Sequence, residues 1–116
     1  MEPQRVCIKK AELNKRGISS LLEWKTNTHN HYIGRNLTYY VSGATGSIYA
    51  NPFSLRKYSR ERSLQLYEEH LRNRTDLMER IEEVLEWEEL GCWCLPDEDC
   101  HGDVLLRVAK EKKENK

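Results

Sequence analysis

Residues 90–108 constrain this chain more than any other stretch. Leu90 to Leu95 is a short β-prone run that Pro96 stops, because proline cannot donate to a ladder. The turn Asp97-Glu98-Asp99 leads into a helix with Val104, Leu105 and Val108 on its inward face. Helical segments precede this strand, so the pattern predicts parallel pairing with an earlier strand. A strand displays alternate residues on one face, which predicts Cys92 and Cys94 pointing one way and Trp93 the other. Cys100 and His101 then open the helix, beside the carboxyl end of a strand, where α/β folds tend to place their sites.

The rest of the chain supplies the partners. Val6-Cys7-Ile8 and His31-Tyr32-Ile33-Gly34 read as strands, the second ending at a glycine. Ala11 to Thr28 carries Leu13, Leu21, Leu22 and Trp24 at helical spacing, with Gly17 interrupting. Leu37–Val41 and Ser47–Ala50 predict a hairpin, which Asn51-Pro52-Phe53 ends. Ser59 is placed to cap a helix carrying Leu64, Tyr67 and Leu71, and Thr75 to cap one carrying Leu77, Ile81, Val84 and Leu85. The expected fold is α/β: a small mixed sheet with helices packed on it, one domain over residues 1–109 and a frayed lysine-rich tail over 110–116.

Charge narrows the function. Nineteen basic residues balance nineteen acidic ones, which argues against a protein that coats DNA. The charges are segregated: Glu2 to Arg35 is mainly basic and Asp76 to Asp99 almost entirely acidic. With only 38% of residues hydrophobic, a homodimer is expected to cover part of the apolar surface. No apolar run approaches the roughly 20 residues that span a bilayer. Met1-Glu2-Pro3-Gln4-Arg5 has no apolar core, so neither a membrane nor export is expected. That predicts an intracellular protein, in cytoplasm or nucleus, whose four cysteines are thiols or metal ligands rather than disulfides.

Three chemistries fit the cysteine–histidine segment. Cys92, Cys94, Cys100 and His101 form the Cys₃His set that structural zinc favours, although Cys-x-Cys is tight and adjacent Cys-His ligands are awkward. Alternatively, Cys100 or Cys94 is a reactive thiolate with His101 as base and Asp103 as orienting group. In the third, the first helical amides hold a phosphate or other anion, with Gly102 allowing close approach. The plain structural alternative makes Cys92 and Cys94 small core hydrophobes and His101-Gly102-Asp103 a helix start.

Several motifs run together here: Tyr32-Ile33-Gly34-Arg35, Asn51-Pro52-Phe53, Ser59-Arg60-Glu61 opening a helix with Tyr67, Cys92-Trp93-Cys94-Leu95-Pro96 and Cys100-His101-Gly102-Asp103-Val104-Leu105. Through them the chain resembles the family called domain of unknown function 4326, from about Val6 to Val108. Members occur in bacteria, phages and large DNA viruses, with no established activity. The chain departs from the family pattern in a longer Ala11–Asn30 stretch and in Ala50, where the family usually has glycine.

The resemblance implies one pocket lined by Arg35, Asn51, Arg60, Cys94, Cys100, His101 and Asp103, with the two arginines holding a phosphate or carboxylate. A weaker likeness to domain of unknown function 488 implies a Rossmann-like strand–turn–helix at the C-terminus and a nucleotide or nucleic acid as ligand. The leading expectation is therefore a thiol–imidazole site acting on or binding such a ligand. Its rivals are a non-enzymatic homodimeric interaction or structural protein, virus-encoded and then located in the virion, and a zinc-stabilised module.

Overall fold

Three short strands form the centre of the molecule, and all of them run the same way. The computed structural model describes residues 2–115. Strand β1 (Gln4–Cys7) and strand β2 (Asn30–Tyr32) flank strand β3 (Glu89–Cys92), which pairs parallel with both. The sequence order of the strands is thus not their spatial order: the last strand inserts between the first two. Parallel neighbours need long crossovers, and the helices between them provide these.

The helices cover both faces. Helix α1 (Lys10–Lys15) ends at Gly17, whose φ of 77° suits glycine. Helix α2 (Leu21–Trp24) is capped by Ser20, whose hydroxyl accepts from the Glu23 amide. With Ile8, Leu13, Leu21, Trp24, Tyr32 and Ala44 they form one apolar cluster. The other face carries helix α3 (Arg60–Asn73), helix α4 (Thr75–Arg80), a 3₁₀ segment (Ile81–Glu86) and helix α5 (His101–Glu114). Tyr67, Leu71, Ile81, Val84, Leu105 and Val108 pack there against Leu90 and Cys92. Strand alternation explains the division: Leu90 and Cys92 face α5, while a side chain on Gly91 would meet the Trp24 ring on the opposite face.

Four expectations need correction. The sheet is not mixed, because residues 37–50 form no hairpin. The Asn36 carboxamide accepts from the Thr38 amide, and the Tyr40 and Val41 amides turn back onto the Leu37 carbonyl. This local turn competes with strand pairing and wins, since Thr38, Tyr39 and Tyr40 are all exposed and have no apolar face to bury. Strand β3 stops at Cys92, so Trp93, Cys94 and Leu95 leave the sheet before Pro96. Thr75 is the first residue of its helix rather than its cap. Finally, α5 runs through the lysines to Glu114, where Lys112 and Lys113 suit the helix dipole. Ser59 does cap α3, accepting from the Arg62 amide. No helix among the described residues is long and apolar enough to cross a membrane.

Candidate functional site

The carboxyl ends of all three parallel strands open into one pocket of about 360 Å³. Lys9 follows β1, Gly34 and Arg35 follow β2, and Cys92, Trp93 and Cys94 end and follow β3. Asn51, Phe53 and Leu55 from the long connection, with Arg60, Ser63 and Leu64 from α3, make the opposing wall. Glu98 and His101 complete it.

Three sulfurs converge beneath this pocket. The thiols of Cys92, Cys94 and Cys100 all lie within 4.8 Å of one another, and Cys92 and Cys100 are 3.1 Å apart. None is in a disulfide. Cys92 comes from the strand end and Cys100 from the N-cap of α5, where its sulfur accepts from the Gly102 amide at 3.4 Å. Cys94 sits in the loop between them, half-buried, with Arg60 Nη1 3.5 Å from its sulfur.

Such a cluster carries its charge on one sulfur. Cys94 is held well below the ordinary thiol range by the Cys100 thiol donating to it, then by Cys92 and by Arg60, against the opposing effect of burial. Cys100 is pushed up, through its bonds to Cys92 and Cys94 and its burial. For Cys92 the bond with Cys100 pulls downward, but the bond to Cys94 and burial outweigh it and leave it raised.

His101 is buried between the two walls. Its Nε2 lies 2.8 Å from the Ile33 carbonyl, which can only accept, so that nitrogen carries the proton. The lone pair is then on Nδ1, 3.6 Å from the Cys100 sulfur. The ring meets Tyr67 edge to face at 5.2 Å. Burial shifts its pKa downward, so the neutral form prevails. His101 stands outside the mutually close group of three sulfurs.

The other candidates divide. Arg35 and Asn51 line the pocket, but Asn51 is occupied: its amide donates to Ser63 Oγ at 2.9 Å and its oxygen accepts from the Phe53 amide. Arg60 lines the pocket too, tied to the Asp99 carbonyl at 2.7 Å and the Glu98 carboxylate at 3.0 Å. Asp103 points elsewhere. Its carboxylate accepts from the Cys100 amide in a capping box and pairs with Arg5 at 3.3 Å, while Nε2 of His101 bonds Ile33 instead. Gly102 lies outside the pocket lining, and a Cβ there would come within 2.7 Å of Arg5 Cγ and 2.8 Å of Ile33 Cδ1. Its missing side chain serves packing, and the helix start is filled by its own cap.

Two contributors escaped the sequence reading. Arg5, its side chain only 8% exposed, donates to the carbonyls of Leu95 at 3.0 Å and Glu98 at 2.6 Å, with longer approaches to those of Cys94 and Pro96. It shapes the loop that holds Cys94. Glu98 closes the same loop by accepting from the Leu95 amide at 2.6 Å. A lone arginine within a strand carries no motif, so nothing in the sequence marked it.

A family model described as Domain of unknown function (DUF4326) matches residues 18–111. The chain belongs to this family. No curated protein and no solved structure matches it at a significant level. The stretch matched by the DUF4326 model holds every candidate residue from Arg35 to Asp103, whereas Arg5 and Lys9 lie before it.

Proposed function

We propose that this domain binds a nucleotide-class anion in its pocket, over a thiolate metal centre in which Cys92, Cys94 and Cys100 hold one zinc ion. The observation that carries the reading is the three sulfurs within 4.8 Å of one another beneath an open pocket. Zinc–sulfur bonds of about 2.3 Å in a tetrahedron require sulfurs about 3.8 Å apart. The 3.1 Å separation and the 4.8 Å limit bracket that spacing. Three thiolates are a soft set that suits zinc. The surroundings fit as well: Gly102 donates to one sulfur, and Arg60 offsets charge beside another.

Cys92 and Cys94 line the pocket, so a metal ion held by the three sulfurs would lie next to a ligand bound there. A zinc ion held by these residues would supply Lewis acidity to an oxygen of that ligand. The chain's own residues do the rest. Lys9 and Arg35 attract an anionic group, while Phe53, Leu55 and Trp93 offer apolar surface to a ring. A pocket at the carboxyl ends of parallel strands, next to a strand–turn–helix, is also where Rossmann-like folds take nucleotides. An open pocket with charged walls favours a ligand over a purely structural role.

Metal analysis of protein purified without chelator tests this directly, with about one zinc per chain expected. Cobalt substitution should give tetrahedral thiolate bands that Cys94→Ser abolishes and His101→Gln retains. Absence of both metal and cobalt bands removes the centre. One observation favours a second reading, a metal-free nucleophilic thiolate: Cys94 is the partly exposed member of the trio and has Arg60 at 3.5 Å. Rapid alkylation of Cys94 alone, in protein free of metal, would support it.

A further inference from the structure

The four cysteines divide by what surrounds them. Cys7 is buried and stands outside the close group of three sulfurs. Cys92 and Cys100 are 1% and 0% exposed, and Cys94 alone is half-buried. It lines the pocket, with Arg60 Nη1 3.5 Å from its sulfur. Cys100 lies at the far end of the loop that Cys94 begins, yet the two sulfurs are within 4.8 Å. One thiol is thus reached from the pocket, a cation stands beside it, and a second thiol lies buried next to it. Thiols that react with oxidants share this arrangement: an accessible sulfur in a positive setting, adjacent to one that resolves it.

His101 and Cys92 decide which neighbour resolves it. The Nδ1 atom of His101 presents its lone pair 3.6 Å from the Cys100 sulfur, because Nε2 holds the proton against the Ile33 carbonyl. The imidazole can therefore take the Cys100 proton as that sulfur attacks. Cys92 instead turns its thiol to the Val6 carbonyl, at 3.7 Å within the sheet.

We infer that Cys94 is a site of modification by hydrogen peroxide, resolved by Cys100 into a disulfide that dismantles the metal centre. First, an electron pair of the Cys94 thiolate forms an S–O bond with the peroxide. The O–O bond breaks, and the departing hydroxide takes a proton from solvent. Arg60, beside this sulfur, offsets the negative charge that passes to the leaving oxygen. Then Cys100 gives its proton to His101 and attacks the Cys94 sulfur. The S–O bond breaks, and the leaving hydroxide takes that proton to become water. The two sulfurs lose two electrons, and one peroxide is reduced to two waters. Cys92 is then the single thiolate left, too few ligands to hold zinc. Only this last consequence rests on the reading of the trio as a metal centre.

Hydrogen peroxide at about one equivalent per chain, followed by peptide mapping under non-reducing conditions, tests the inference. Metal-free protein should form a Cys94–Cys100 bridge. Zinc-loaded protein should release about one zinc per bridge, read with a chromogenic chelator, and a thiol reductant should reverse the bridge. In Cys100→Ser, where serine keeps a hydroxyl at the N-cap of α5, dimedone should instead trap a sulfenic acid at Cys94. His101→Gln should slow closure of the bridge without slowing dimedone capture.

Cys94 left reduced, Cys94 carried to sulfinic acid with no bridge, or a bridge joining Cys92 overturns the proposal. Protein that binds no zinc but forms the Cys94–Cys100 bridge would remove the metal centre and leave this inference standing. Protein that keeps its zinc through peroxide treatment would do the reverse.

Discussion

Replacing Arg5 by alanine removes the side chain that ties β1 to the loop carrying Cys94. The guanidinium bonds the Leu95 and Glu98 carbonyls at 3.0 and 2.6 Å and pairs with Asp103 at 3.3 Å. Water can replace it at most of these partners, since Leu95 is exposed and the Asp103 side chain is 50% exposed. Each lost bond is therefore worth about 0.5–1 kcal/mol rather than a full burial penalty. The methylene stem is buried, lying against Gly102, and its removal adds about 1 kcal/mol. The expected loss is about 3 kcal/mol, a fall of about 12 °C in melting temperature at roughly 4 °C per kcal/mol for a chain of this size.

Urea unfolding followed by tryptophan fluorescence measures the loss, and cobalt titration measures the effect on the thiols. The loosened loop should weaken cobalt binding about tenfold or more, as expected when a group outside the ligand shell stops orienting a ligand. Arg5→Lys keeps the stem but not the fork, so it should recover only the packing share of the stability. An Arg5→Ala protein within about 0.5 kcal/mol of the parent, with cobalt affinity unchanged, would refute the assignment of Arg5 as the brace of this loop.

Gly91→Ala should cost about 1–3 kcal/mol in chemical denaturation, because the new Cβ would lie 2.6 Å from the Trp24 ring and 2.7 Å from Ile8 Cγ2 inside the core. Acid should weaken the α3–α5 contact. The Glu68 carboxyl is held down to about 2 by its hydrogen bond from Arg107, with Arg72 adding to it. A carboxylate with a depressed folded pKa stabilises above its unfolded value near 4.5, and that stability is lost as pH falls toward 2. Stability measured against pH should flatten over that interval in Glu68→Gln, and an identical acid limb in variant and parent would exclude the contribution.

The C-terminal half shows how far the sequence reaches. The 3–4 spacing of Val104, Leu105 and Val108 and Ser59 before α3 are local signals, and local chemistry decided those elements. The cysteines were legible as a group for the same reason, although strand alternation was the wrong cause. Cys94 has left the sheet, and its sulfur returns to the others because Arg5 and Glu98 fold the loop. The missed hairpin at residues 37–50 marks the opposite case, where β-prone tyrosines had no buried face and a side-chain turn at Asn36 prevailed.

By itself, the sequence determined that this chain alternates strands with helices, keeps its four cysteines out of disulfides and carries a C-terminal strand–turn–helix bearing cysteines and a histidine. Only the tertiary structure decided that β3 enters between β1 and β2, which brings Lys9, Arg35 and Cys94 from three distant segments to one pocket. It also turned Asp103 away toward Arg5 and set His101 against Ile33. The physical reason is range. Turns, caps and periodicity act over a few residues, whereas strand order and the direction of a buried polar group depend on partners some sixty to a hundred positions away.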